Sequence, residues 1–205
     1  MKYIIMCGGN YHMDTPKHLL PVKGEPIVAR TIRLLRDCGV SDIAISATDD
    51  RFEDFGVPVL RHHNKYGDGG MWLDAFYPVN KAVCYIFGDV VFSPDAIWTI
   101  VETETDCIQF FASSPPFADN YTKNWAEPFA FKVKDTKYFR ECVDVAKQYA
   151  ALGRFKRHPV SWELWQVIMG TPLNDIDYTN YCTINDYTCD VDYPDDIEKI
   201  ERLIP

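Results

Sequence analysis

Four consecutive apolar residues, Ile4-Ile5-Met6-Cys7, run directly into Gly8-Gly9. A run that short, closed by glycine, reads as a buried strand entering a tight turn. Eight residues after Gly9 comes Lys17, inside Thr15-Pro16-Lys17-His18-Leu19-Leu20-Pro21. Glycine backbone N–H groups approach phosphate oxygens without steric obstruction, and a lysine ending the loop adds charge, so the segment has the makings of a phosphate cradle. It is not a P-loop: the glycines and lysine are spaced wrongly, and no Ser or Thr follows the lysine.

The rest of the first half alternates strand and helix. Helical spacing over Pro26–Cys38 ends at Gly39. Strand patterns follow over Asp42–Ala47, Val57–Arg61, Val83–Phe87 and Cys107–Ala112. Met71–Tyr77 reads as a brief helix, and Pro94–Val101 as a helix capped by Ser93. This rhythm predicts an α/β, Rossmann-like fold, with a mostly parallel sheet, helices on both faces and ligand at the carboxyl ends of the strands.

The second half predicts a strand over Phe129–Val133 and helices over Thr136–Leu152 and Trp162–Met169. A β-rich stretch over Ile176–Ile184 and a terminal helix over Tyr193–Leu203 complete it. Ala112–Trp125 has no period and reads as a loop over the site. One domain, 1–205, is expected, with a nucleotide-binding half (1–112) and an inserted substrate-facing half (113–205).

A formal charge of −9 argues against nucleic acid as partner, since polymer phosphates demand a basic surface. Small anions remain possible if a few lysines and a divalent cation concentrate positive charge. No apolar run approaches the ~20 residues of a membrane span, and the N-terminus lacks a secretory pattern, so a cytoplasmic location is expected. Seven cysteines without a CxxC pair read as reduced thiols.

Two acidic segments carry the chemistry. Asp89 follows the buried run Tyr85-Ile86-Phe87-Gly88, at the sheet edge where ligands bind. A carboxylate there can hold magnesium against phosphates or simply shape a turn. In Cys189-Asp190-Val191-Asp192-Tyr193-Pro194-Asp195-Asp196, an extended chain points Asp190 and Asp192 to one face. Asp195 and Asp196 suit the first turn of a helix. Asp192 precedes that helix and is open to a metal role.

Cys7–Pro26, Gly88–Phe92 and Val191–Ile197 together resemble the nucleotidyltransferase superfamily with the glycosyltransferase-A-like fold. The last segment is similar to the closing motif of its cytidylyltransferase branches. Trp162-Glu163 and Asn64-Lys65-Tyr66 are similar to the bacterial phosphocholine cytidylyltransferases. The resemblance implies a magnesium-dependent transfer of a nucleotidyl group, with CTP favoured as donor, to a phosphorylated small molecule. That acceptor is a sugar phosphate or a phosphocholine-like headgroup for surface-polysaccharide or related biosynthesis. It implies Lys17 as the catalytic phosphate contact. Cys7, Gly8, Gly9, Asn10, His12, Gly69 and Gly70 would surround the nucleotide, and Asp89 and Asp192 would hold the metal. Trp125, Glu127 and Trp162 are the candidates for the acceptor. A glycosyltransferase using a nucleotide-sugar, or a non-catalytic nucleotide-binding module, are the competing readings of the same fold.

One departure stands out. The family usually carries an arginine in the glycine loop, whereas Gly9-Asn10-Tyr11-His12-Met13-Asp14 has none. His12 is the available substitute, without arginine's bidentate fork. Lys23, the basic stretch Arg154–His158 and the pair His62-His63 are lesser signals; solvated surface suits the charges, and His62-His63 lacks a third metal ligand.

Overall fold

A computed structural model describes residues 1–8, 15–62, 71–114, 126–157, 159 and 161–205. Among them, eleven strands are found: β1 (Lys2–Cys7), β2 (Pro21–Val22), β3 (Glu25–Pro26), β4 (Ile43–Ala47), β5 (Val59–Arg61), β6 (Val83–Phe87), β7 (Val90–Val91), β8 (Ile108–Ala112), β9 (Pro128–Val133), β10 (Cys182–Thr183) and β11 (Cys189–Asp190). The α-helices are α1 (Ile27–Asp37), α2 (Pro94–Glu102), α3 (Thr136–Ala151), α4 (Ser161–Met169) and α5 (Pro194–Glu201). Short 3₁₀ turns cover Lys17–Leu19, Asp50–Phe55 and Met71–Ala75.

Seven of these strands form the main sheet, in the order β10-β8-β9-β6-β1-β4-β5. Four neighbouring pairs run parallel, and β9 alone runs antiparallel, to both β6 and β8. The expected mostly parallel α/β sheet is therefore what the chain forms. β1 lies inside the sheet between β6 and β4, and every residue from Tyr3 to Cys7 is buried, as its unbroken apolar run requires.

Helices lie on both faces. Adjacent residues of one strand point to opposite sides. In β9, Lys132 reaches the end of α2, bonding the carbonyls of Ile100, Val101 and Thr103 at 3.0, 2.7 and 2.6 Å. Its neighbour Phe131 packs against Phe139 of α3 and Trp165 of α4. Ser93 caps α2 as its sequence position suggests, its hydroxyl accepting from Ala96 N–H at 2.9 Å.

The strand expected across Ile176–Ile184 shrinks to Cys182–Thr183. Side chains rather than a ladder order the approach to it. Trp165 Nε1 donates to Thr179 O at 3.0 Å, and Gln166 Nε2 donates to the carbonyls of Pro172 and Asp175 at 2.7 Å each. The brief helix expected at Met71–Tyr77 is a 3₁₀ turn ending at Ala75. Two small ladders, β2–β3 and β7–β11, were not anticipated, because two-residue strands leave no periodic signal. All seven cysteines are free thiols. No helix among the described residues is long and apolar enough to cross a membrane.

Candidate active site

Since β1, β4, β5 and β6 are parallel, their carboxyl ends share one edge of the sheet. Antiparallel β9 brings its amino end to that same edge. Gly8, Asp89 and Glu127 thus converge although they lie far apart in sequence. They line a cavity of about 500 Å³, together with Lys17, Asp190 and Asp192, and with Trp72, Trp162, Tyr178, Arg157 and Ser161 at its walls.

β7 and β11 bring the chain's far end to Asp89. Asp190 pairs with Val90, and Val191 N–H donates to Asp89 O at 2.9 Å. The result places Asp89 and Asp192 on either side of one ammonium: Lys17 Nζ lies 2.7 Å from Asp89 Oδ2 and 3.4 Å from Asp192 Oδ1. Burial alone would lower the pKa of Lys17, but Asp89 first, then Asp190 and Asp192, outweigh it and hold the ammonium above its ordinary value. Burial would raise the Asp89 carboxyl, yet the Lys17 charge keeps it below its usual range. Lys17 and Asp89 are therefore both ionised at neutral pH. His18, adjacent and buried, is pushed down to about 4 by desolvation, so it stays neutral there.

Asp196 secures this arrangement. Its Oδ2 accepts from the backbone N–H groups of Asp192 (3.1 Å) and Tyr193 (3.0 Å) at the start of α5. The closing motif therefore divides its labour: Asp196 caps the helix, and Asp192 faces the cavity.

Glu127, also in the lining, is held where β9 begins. Its N–H donates to Ser113 Oγ at 2.6 Å, and Ser113 N–H donates to Glu127 O at 2.8 Å. Trp162 Nε1 donates to Ala126 O at 3.2 Å, and its ring meets Tyr178 edge-on at 4.7 Å. Arg157 Nε bonds Glu163 Oε1 at 2.6 Å, so that basic stretch supplies one cavity residue already engaged with a carboxylate. Lys156 pairs instead with Asp175, outside the cavity lining.

The structure thus brings together Lys17, Gly8, Asp89, Asp192, Glu127 and Trp162. Cys7 is fully buried in β1, with its thiol under Gly88 rather than in the lining. Burial, reinforced by Asp89, pushes that thiol well up and keeps it protonated. Gly9, Asn10, His12, Gly69, Gly70 and Trp125 lie outside the described residues. Lys23 sits in the β2–β3 turn with positive φ, away from the cavity. Sequence reasoning passed over Tyr178, Ser161 and the cavity role of Asp190. The last had a signal, since Asp190 and Asp192 share a face of an extended segment.

Among the described residues no group of three or more His, Cys, Asp or Glu has metal-site geometry. The donor set nevertheless suits a hard divalent cation. Two carboxylates far apart in sequence already share one positive charge, and magnesium commonly takes one or two carboxylates with phosphates and water completing its shell.

A family model, the MobA-like NTP transferase domain, matches residues 3–149. The chain belongs to this family. It is a nucleotidyltransferase of the MobA-like kind, within the superfamily that its motifs resemble. Solved structures share its fold. HddC from Yersinia pseudotuberculosis, complexed with GMP-PN, superposes with a TM-score of 0.58 at 15% identity, covering 98% of each chain. A Bacillus anthracis protein assigned as a glucose-1-phosphate thymidylyltransferase, in complex with sucrose, gives 0.59 at 20% identity, covering 98% of this chain and 94% of its own. No curated relative matches the chain.

Proposed function

We propose that this MobA-like protein is a magnesium-dependent nucleotidyltransferase that transfers CMP from CTP to a phosphorylated small molecule, a sugar phosphate or a phosphocholine-like headgroup. The observation that carries the reading is the Asp89–Lys17–Asp192 cluster in a cavity that Glu127 and Trp162 also line. The concentrated charge supports a site for phosphates, and the carboxylate with aromatic rings supports one for the rest of an acceptor.

In the reaction, an acceptor phosphate oxygen forms a bond to the α-phosphorus of the nucleotide. The bond from that phosphorus to the bridging oxygen breaks, and pyrophosphate leaves with the electron pair. The attacking oxygen is already an anion, so no base is needed. The catalytic burden is positioning and neutralisation of charge. Asp89 and Asp192 would hold the magnesium ion, which, when bound, offsets phosphate charge and polarises the phosphoryl group. Lys17 donates to the phosphate oxygens whose charge grows in the transition state. Gly8 lines the cavity and offers the nucleotide its main chain. Glu127 orients the acceptor through hydroxyl donors or a cationic group, and Trp162 and Tyr178 give it an apolar wall.

The test is pyrophosphate release with magnesium, from four nucleoside triphosphates against sugar phosphates, phosphocholine and related phosphorylated metabolites. Release that requires CTP and one acceptor together is expected. Release of pyrophosphate without any acceptor, or glycosyl transfer from a nucleotide-sugar, would overturn the reading.

A further inference from the structure

His62 follows the last residue of edge strand β5 and is buried, with 7% exposure, although histidine is a costly residue to bury without purpose. Its Nδ1 lies 2.9 Å from Ser46 Oγ, and Ser46 Oγ also lies 2.9 Å from Ala75 O. A carbonyl oxygen only accepts, so the single serine hydrogen goes to Ala75. Ser46 must then accept from His62, which places an imidazole proton on Nδ1 and turns the ring so that its far edge carries Nε2.

That nitrogen faces the first glycine of the turn. A Cβ built at Gly8 would fall 2.9 Å from His62 Nε2 and 2.8 Å from Ala75 Cβ. The side of Gly8 that a side chain would occupy is therefore filled by the imidazole and by Ala75 of the Met71–Ala75 turn, so the main chain rests against both. Ser46 ties the two together, because it bonds His62 and Ala75 at once. The carboxyl ends of β1, β4 and β5 are joined through these side chains at the rim of the cavity that Gly8 and Ala75 line. His62 itself lines a separate cavity behind that rim, so it acts through Gly8 rather than on a ligand in the first.

We infer that His62 is a positioning residue for the nucleotide, holding Gly8 at the depth from which the turn meets the donor, with Ser46 fixing the orientation of the ring. The inference rests on the reading of the Gly8 turn as the nucleotide contact. It assigns to His62 a role in donor affinity, with the acceptor end and the Lys17 cluster left as they are.

The variants separate the two ring nitrogens. In His62→Asn the amide reaches Ser46 but nothing reaches Gly8. In His62→Gln the longer amide reaches the position of Nε2. Titration with magnesium–CTP, steady-state kinetics and thermal melting are measured on each, with Ser46→Ala as a third variant. The expected result is a rise of about tenfold in Kd and KM for CTP in His62→Asn, because the Gly8 main chain loses the group packed against it and shifts. The kcat, the acceptor KM and the melting temperature should stay close to wild type, and His62→Gln should recover most of the affinity. Ser46→Ala should shift the same two constants by less, and adding it to His62→Asn should worsen neither. Wild-type CTP constants in His62→Asn would overturn the inference. So would a proportional loss of every kinetic constant together with the melting temperature, which would mark His62 as a structural pin. Failure of the wild type itself to bind magnesium–CTP would instead bring down the reading of the turn, and this inference with it.

Discussion

Gly88 sits between the buried strand β6 and Asp89, and its backbone N–H donates to Met6 O of β1 at 3.0 Å. A Cβ at this position would lie 2.6 Å from Met6 O, 2.7 Å from Cys7 Sγ and 3.1 Å from His18 Cδ2. Carbon–oxygen contacts of this kind normally begin at about 3.3 Å. Gly88→Ala must therefore part the ends of β1 and β6 by about 0.7 Å, measured from the 2.6 Å contact. Neither side yields easily, because Met6 and Cys7 belong to a buried interior strand of the sheet. Overpacking of this sort costs about 1–3 kcal/mol. The displacement is passed to Asp89, the next residue, and a misplacement approaching 1 Å at a reacting centre costs about 10²-fold in rate. Gly153→Ala is the control. Gly153 has φ +63° and nothing within 4 Å of the added carbon, so only its backbone conformation is strained and turnover should not change. Urea denaturation and initial-rate pyrophosphate release measure both effects. A Gly88→Ala protein with wild-type stability and rate would refute the claim that this glycine sets the depth of Asp89.

Other substitutions probe the parts independently. Lys17→Ala should lower turnover by about 10²–10³-fold in the same assay while circular dichroism stays native; retention of wild-type rates would remove Lys17 from the mechanism. Asp192→Asn should raise the magnesium concentration needed for half-maximal rate, and an unchanged magnesium titration would remove Asp192 from the metal. Lys132→Met strips the donor from three carbonyls at the end of α2 and should cost about 2 kcal/mol by urea denaturation. His18, with its pKa near 4 in the fold against 6.5 ordinarily, refuses a proton that the unfolded chain accepts. Stability should therefore fall as pH drops through 6.5, by about 2 kcal/mol between pH 7 and 5. His18→Gln should remove that part of the slope, and parallel pH profiles for the two proteins would contradict it.

The central sheet was legible because its strands are short apolar runs closed by glycine or turn residues, and because parallel strands must be buried on both faces. Asp89 was legible from its place at a strand end, and Asp192 from its place just before a helix whose first turn accounts for Asp195 and Asp196. What the sequence did not reveal lies in long-range contacts of very short elements. β7 and β11 are two residues each, 98 positions apart from Val91 to Cys189 in their pairing, and only that pairing sets Asp190 beside the Lys17 cluster. Tyr178 escaped notice because its segment looked like strand, while its position comes from packing against Trp162. The bond from His62, just past β5, to Ser46 in β4 leaves no motif.

The most direct test of the account follows the phosphorus atoms themselves. CTP labelled at the α-phosphate, and separately at the γ-phosphate, is turned over with magnesium and the acceptor found in the screen. The account predicts α-label in a new cytidylyl product joined through the acceptor's phosphate, and γ-label only in pyrophosphate. α-Label recovered as free CMP, or γ-label recovered as orthophosphate or on the acceptor, would show hydrolysis or phosphoryl transfer and would contradict it.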